Sequence, residues 1–257
     1  MSAVQISDCS MTFNTGTTNE VRALAGINLD VDEGEFVSLI GPSGCGKSTL
    51  LRLVGDLLTP TAGSIEVFGK PAPRARLDRD YGMAFQQAGL FDWRKVAANI
   101  ELPLELMGWT KAERAKRSTD MLELVKLDDF GSHYPWQLSG GMQQRVAIAR
   151  SLAFSPRLLL MDEPFGALDE MTREHMQTEL LRIYQELGTT VVFVTHSISE
   201  AVFLSSRVIV LSPRPGRIHS IVEVDLGNRS DATRESTAFF EKTTEVREAL
   251  RAVEGQA

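Results

Sequence analysis

The sequence predicts an α/β protein built on a parallel β-sheet, and three observations support this. The apolar runs at 36–40, 158–161, 191–194 and 208–211 are continuous and lack alternation, as in strands buried on both faces. Helical patterns separate the last three runs, as in a parallel sheet with helices on both sides. A glycine-rich loop, Gly41-Pro42-Ser43-Gly44-Cys45-Gly46-Lys47-Ser48-Thr49, joins the first run to the apolar opening of a helix at Leu50-Leu51. Its spacing, G-x-x-x-x-G-K-[ST], is that of a loop that wraps nucleotide phosphates.

Along the chain the remaining elements follow from periodicity. Ile27, Leu29 and Val31 alternate with polar neighbours, which predicts antiparallel strands with one solvated face in the first 35 residues. Ser64-Ile65-Glu66-Val67-Phe68-Gly69 reads as another such strand closed by glycine. Between about 90 and 154 the pattern turns helical, which predicts a helical lobe inserted into the α/β core. Within it, residues 110–117 are charged and free of breakers, while Met121, Leu122 and Val125 continue an apolar stripe. The charges therefore read as a solvated helix face. Ser139 reads as the cap of a helix that runs through residues 146–153 and is stopped by Pro156. After about residue 220 the chain becomes polar, yet Phe239, Val246, Leu250 and Val253 fall at helical spacing. A terminal helix packed back onto the core is expected.

At 257 residues the chain can form one large domain or one domain with an inserted lobe. The formal charge of −7 argues against a general nucleic-acid surface. No apolar run approaches the roughly 18 residues needed to cross a bilayer. The first residues, Met1 to Asp8, lack the basic start and apolar stretch of a secretion signal, and Cys9 and Cys45 make no disulfide framework. A reducing cytoplasm is the expected setting.

The chemistry concentrates in three segments. In the loop, the glycines admit a close backbone approach and the helix start presents N–H groups to phosphate. Lys47 would reach the outer phosphates and Ser48 would hold Mg²⁺. Cys45 stands near a helix N-terminus, where a thiol pKa tends to fall, and ATP is expected to shield it from alkylation. The strand ending Met161-Asp162-Glu163 delivers two carboxylates at the carboxyl edge of the sheet. Asp162 suits Mg²⁺ held through water, and Glu163 suits orienting or deprotonating an attacking water. Taken alone, the pair could equally be a surface strand end. Leu138-Ser139-Gly140-Gly141-Met142-Gln143-Gln144-Arg145 leaves a second helix start open to an anion, although local physics alone reads it as a well-capped helix.

This octapeptide closely resembles the signature motif of ATP-binding-cassette (ABC) ATPases. It stands between the phosphate loop and the Asp162-Glu163 strand, in that family's order. The resemblance covers nearly all of residues 4–220. It implies a P-loop NTPase with a RecA-like parallel core, an N-terminal antiparallel β subdomain and an inserted α-helical subdomain. The ATP-binding domain would span 1–220, with the helical subdomain at about 90–154 and a helical extension over 221–257. By the same resemblance, Gln86 is the Q-loop glutamine that touches Mg²⁺ and water. Ala167-Leu168-Asp169 is the D-loop that crosses to a partner, and His196 is the switch histidine at the γ-phosphate. Phe13 falls where the family stacks an aromatic on adenine, although it could equally be core. The implied catalytic residues are Glu163, His196 and Gln86, with ATP and Mg²⁺ as cofactors.

In that family two domains pack head to tail. ATP lies between one domain's phosphate loop, 41–49 here, and the other's signature, here Ser139, Gly140, Gly141 and Gln143, with Asp169 crossing nearby. The resemblance thus implies a second ATP-binding subunit, most simply a homodimer. The leading expectation is the energising subunit of a membrane importer, peripheral at the cytoplasmic face of the inner membrane. Its partners would be transmembrane permease subunits and, indirectly, a periplasmic or extracellular solute-binding protein. Leu90-Phe91-Asp92-Trp93-Arg94 would form the lip of the groove that receives the permease, with burial of both aromatics in the lobe as the alternative. The pattern around Trp93, Pro164 to Asp169, and Ser212-Pro213-Arg214-Pro215-Gly216-Arg217 resembles the importer branch for nitrate, sulfonate, taurine and related solutes. An ATPase for export or lipid traffic is the rival reading. A non-transport ABC ATPase of translation or DNA repair fits less well, because the chain shows one cassette and no sustained heptads. Asp56 departs from the pattern, since relatives often carry an apolar residue there.

Overall fold

The computed structural model describes residues 2–166 and 168–254. Ala167, in the segment expected to reach a partner, lies outside the described residues. The chain opens with two long antiparallel strands, β1 (Ser2–Phe13) and β2 (Val21–Asp32), in which Ile6 faces Leu29 and Val4 faces Val31. Then come β3 (Phe36–Ile40), α1 (Lys47–Val54), β4 (Ala62–Val67), β5 (Lys70–Pro71), α2 (Ala72–Asp78) and β6 (Tyr81–Ala84). Three helices follow: α3 (Val96–Leu106), α4 (Lys111–Leu124) and α5 (Gly140–Leu152). Strand and helix then alternate through β7 (Leu158–Asp162), α6 (Glu170–Leu187), β8 (Thr190–Val194), α7 (Ile198–Leu204) and β9 (Arg207–Leu211). The chain ends with β10 (Ile218–Glu223) and α8 (Thr237–Glu254).

Among the described residues the strands form two sheets. The first is antiparallel, in the order β2-β1-β4-β5, and the second follows the order β10-β9-β3-β8-β7-β6. From β9 to β6 the second sheet is parallel, and β10 closes one edge antiparallel to β9. Its two faces bury different partners. Val37, Leu39, Leu158, Leu160, Val192 and Val194 pack with α1 and the N-terminal sheet. Phe36, Ile40, Leu159, Met161, Val191 and Phe193 pack with the helical lobe and with α6, α7 and α8. The inner strands β3, β7 and β8 are apolar at all but Ser38, Asp162 and Thr190, because neither face meets water.

Side-chain caps set the starts of α4, α5, α6 and α7. Thr110 accepts from the N–H of Glu113 while Glu113 accepts from the N–H of Thr110, a reciprocal pair that satisfies two otherwise orphaned donors. Strand β6 had no clear signal in the sequence because it is short and contains Gly82. A Cβ at Gly82 would lie 2.2 Å from the carbonyl oxygen of Ser151, so β6 runs hard against the end of α5. Asp56 now has a physical account. It sits just past α1 at φ 48°, a left-handed conformation that Asp tolerates, and its carboxylate pairs with Arg76 at 2.8 Å. An apolar residue would offer neither property.

Strand β10 runs through residue 220, where the polar shift in composition had suggested a boundary. It is an edge strand whose His219 and Glu223 are exposed, so it reads as polar although it belongs to the sheet. Helix α8 then folds back over α7 and buries Phe239, Val246 and Val253 in the main core. Just before it, Arg234 lies over the ring of Phe203 at 3.5 Å and donates to Gln177 Oε1 at 2.6 Å.

Candidate functional site

The loop between β3 and α1 folds back on the side chain of Lys47, which is only 4% exposed. Its ammonium donates to the carbonyls of Gly41 at 2.8 Å and Pro42 at 3.2 Å. Two neutral carbonyls fix the group and leave its charge uncancelled, ready to face an anion. Gly46 precedes α1 at φ 106°, with no side chain capping the first turn. A Cβ there would come within 2.6 Å of Leu24 Cδ2, so glycine is required where β2 meets the loop. The first helical bond is made by Leu50 to Gly46 at 2.8 Å. The earlier amides of α1 have no intrahelical partner, and the helix dipole adds positive potential at that end.

Cys45 corrects an expectation. Its side chain is 1% exposed and packs in the core with Leu50 and Leu211. Burial pushes the thiol pKa up, and the nearby Lys47 charge offsets this only in part. The helix-start rule is overridden by desolvation. Alkylation of the folded protein by iodoacetamide is therefore expected to be slow with or without ATP and fast after unfolding. Rapid labelling of folded Cys45 at neutral pH would contradict this placement. Cys9 should behave in the same way, since burial raises its pKa to about 11.

The two carboxylates after β7 take different roles in the geometry. Ser48 Oγ donates to Asp162 Oδ1 at 2.7 Å, and an Arg52 guanidinium nitrogen lies 3.9 Å from the other oxygen. Glu163 turns away from the strand at φ 49°, a left-handed conformation costly for a non-glycine residue, by about 1–2 kcal/mol. The turn is held by Glu163 N–H to Val194 at 3.0 Å and by Gly166 N–H to the Glu163 carbonyl at 3.1 Å. It sets one carboxylate oxygen 2.7 Å from His196 Nε2, while Gln86 Nε2 donates to the other at 3.4 Å. The three expected catalytic residues thus converge on one group.

Glu163 and His196 line a cleft of about 290 Å³ together with Gly44, Gly46, Lys47, Ser48 and Thr49. Phe13, Val21 and Ala23 form its apolar part. Phe13 is half-buried: it packs on the core edge and also lines the cleft. A second cavity of about 340 Å³ also contains Glu163 and His196, and reaches Gln86, Arg173 and Glu200.

The remaining expected site residues lie elsewhere. Ser139 caps α5 by accepting from Met142 N–H at 3.3 Å, and both Ser139 and Gly140 are exposed. Gly141 packs on α6, where its Cβ would sit 3.1 Å from Thr172 Cγ2. Gln143 is turned inward, with its amide donating to the carbonyls of Pro135 at 2.9 Å and Leu138 at 3.3 Å. Asp169 caps α6, and the Thr172 side chain and N–H hold its carboxyl below the usual range. These five residues cluster at two adjoining helix starts outside the chain's own cleft. Ser43 is exposed on the loop, and Pro42 supplies its carbonyl to Lys47.

Reading the sequence missed Val21 and Ala23 in the cleft, and it also missed a link beneath it. Arg173 donates to the Leu168 carbonyl at 2.6 Å and lies 3.5 Å from the buried Glu200. Glu200 in turn accepts from Thr195, the neighbour of His196. An acid beside the apolar run 201–204 was the one available signal.

Ser48 and Asp162 offer hard oxygen donors, and among the described residues no three His, Cys, Asp or Glu side chains gather as a metal cage. That donor set fits Mg²⁺ held chiefly by phosphate oxygens and water.

A family model described as ABC transporter matches residues 24–166. The ABC transporter ATP-binding protein MJ0412 of Methanocaldococcus jannaschii is 52% identical over 87% of this chain and 82% of its own length. The taurine import ATP-binding protein TauB of Roseobacter denitrificans is 44% identical over 90% of this chain and 87% of its own. The nitrate import ATP-binding protein NrtD of Synechocystis sp. is 44% identical over 96% and 95%. A dimeric, post-hydrolysis state of the ATP-binding cassette MJ0796 bound to ADP and Pi superposes with a TM-score of 0.77 at 36% identity, over 86% of this chain and 99% of that one. The matched region holds both the phosphate loop and the Asp162-Glu163 strand end, and the chain belongs to the ABC transporter family as one of its ATP-hydrolysing cassettes.

Proposed function

We propose that the chain energises a membrane importer for a small solute of the nitrate, sulfonate or taurine kind, acting as a pair of ATP-binding subunits. The convergence of His196 and Gln86 on Glu163, beside the loop of Lys47, is the observation that supports the catalytic part. Adenine stacks on Phe13 over Val21 and Ala23. The phosphates lie against the loop's amides and Lys47. Ser48, and Asp162 through water, would hold Mg²⁺, which when bound would supply charge neutralisation at the phosphate oxygens. Glu163 takes the proton of a water whose oxygen bonds to the γ-phosphorus as the bond to the bridging β–γ oxygen breaks, leaving ADP. His196 holds the Glu163 carboxylate and faces the γ-phosphate, while Gln86 orients the water.

Ser139, Gly140, Gly141, Gln143 and Asp169 lie outside the chain's own cleft, so we assign them to the ATP of a second copy. The dimeric state of MJ0796 with ADP and Pi supports that assignment. Residues 1–220 would form the working cassette and 221–257 an extension packed on it.

Import is supported by the names of the TauB and NrtD relatives. No helix among the described residues is long and apolar enough to cross a membrane. In the proposed assembly permease subunits supply the spanning part, and a solute-binding protein is reached only through them. Trp93 is 75% exposed on a loop braced by Asn99, whose amide bonds the carbonyls of Phe91, Arg94 and Lys95. Arg94 ties this loop to α3 through Glu105 at 2.9 Å. Along α3 and β6 runs an apolar groove of about 220 Å³ that includes Met83, Leu102 and Leu106, suited to a short permease helix. A tagged chain purified from solubilised membranes at the cytoplasmic face should retain a multi-spanning protein. Recovery with ribosomes or DNA alone would overturn the importer reading.

A further inference from the structure

We propose that Arg214 is a further nucleotide-binding residue, its guanidinium pairing with the phosphate chain of ATP in the cleft. This rests on the reading of the cleft as the nucleotide site. Arg214 belongs to the segment Ser212–Arg217, which joins β9 to β10 and has no part in the catalytic account above.

The segment is firmly held against the cleft. Ser212 N–H donates to the Arg217 carbonyl at 2.9 Å, and Arg217 N–H donates to Ser212 Oγ at 3.1 Å. Gly216 joins β2 through two bonds, its N–H to Ala23 at 2.9 Å and Ala25 N–H to its carbonyl at 3.0 Å. Its backbone lies so close to the phosphate loop that a Cβ would fall 2.0 Å from the carbonyl oxygen of Cys45, which makes glycine obligatory. Pro213 and Pro215 restrict φ on either side of Arg214. The short turn therefore carries a cation with little backbone freedom.

Arg214 is exposed and lines the same cleft as Phe13, Gly44 and Lys47. Among the described residues its guanidinium has neither an ion-pair nor a hydrogen-bond partner, whereas Arg207 is clamped by Glu35 and Arg157 by Glu33. In a chain of net charge −7, an uncompensated cation at a cleft mouth selects an anion. The guanidinium fork matches phosphate oxygens bidentately, so it adds a contact that the point charge of Lys47 cannot make. Because the residue is exposed, its share of affinity is smaller than that of the buried lysine.

The test is competition against a fluorescent ATP analogue by ATP and by inorganic tripolyphosphate, using the full chain and its Arg214→Ala, Arg214→Lys and Lys47→Ala variants. Arg214→Ala is expected to weaken both competitors by about 3- to 10-fold, with partial recovery in Arg214→Lys. Since the side chain is exposed and unpaired, thermal unfolding should be unchanged. A loss for ATP without a loss for tripolyphosphate would move the contact to the base or ribose and overturn the phosphate pairing. No change for either would overturn the contact altogether. Lys47→Ala should lose both competitors, and wild-type binding by that variant would instead overturn the reading of the cleft itself.

Discussion

Glu163→Gln is expected to bind ATP normally and to release phosphate about 10²–10⁴-fold more slowly than the wild type. The amide keeps the size of the side chain and one acceptor oxygen for His196 Nε2, now 2.7 Å away. It also keeps the left-handed turn at φ 49°, whose cost does not depend on the carboxylate. What it loses is the capacity to take a proton from water. With ATP intact between two subunits, the variant should accumulate as a dimer. Light scattering with and without ATP, beside a phosphate-release assay, reads both effects. Near-normal turnover would remove Glu163 from the chemistry, and slow turnover without dimerisation would argue that ATP is not shared.

Much of this site was legible in the sequence because its chemistry is local. The loop at 41–49 and the strand end at 162–163 each combine an apolar run with a fixed pattern of polar residues, and the strands beneath are predominantly apolar. What was not legible depends on contacts between distant segments. Strand β6 is short and holds Gly82, whose meaning appears only where α5 crosses it. Cys45 shows the limit of a local rule: the helix start lowers a thiol pKa, yet packing against Leu211 decides the direction. Val21 and Ala23 look like ordinary strand residues until the fold sets them beside Phe13. Asp56 departed from a pattern for a reason visible only in its backbone angle and in Arg76. The separation of Ser139 from the chain's own cleft is likewise a product of topology.

That separation sets the most demanding expectation. If each ATP lies between two copies, two inactive variants should restore activity to each other. Lys47→Ala removes the cation of the cleft and leaves α5 untouched. Gly140→Asp leaves the cleft untouched and places a negative charge at the exposed start of α5. A Cβ at Gly140 meets no atom within 4 Å, and an acid in the first turn suits the helix dipole, so this variant should fold. Each variant alone is expected to lose about 10²-fold or more in phosphate release. In an equimolar mixture about half the dimers carry one of each, and each such dimer holds one intact site, formed by the cleft of the Gly140→Asp subunit and the α5 of its partner. The mixture should therefore recover about a quarter of the wild-type rate if the two sites work independently, and less if they must fire together. Differently tagged copies establish that mixed dimers are present. Mixed dimers without any recovery would place the whole site in one chain. Full activity in Gly140→Asp alone would release α5 from the site. Recovery in the mixture, with both variants inactive by themselves, is the outcome that a shared site requires.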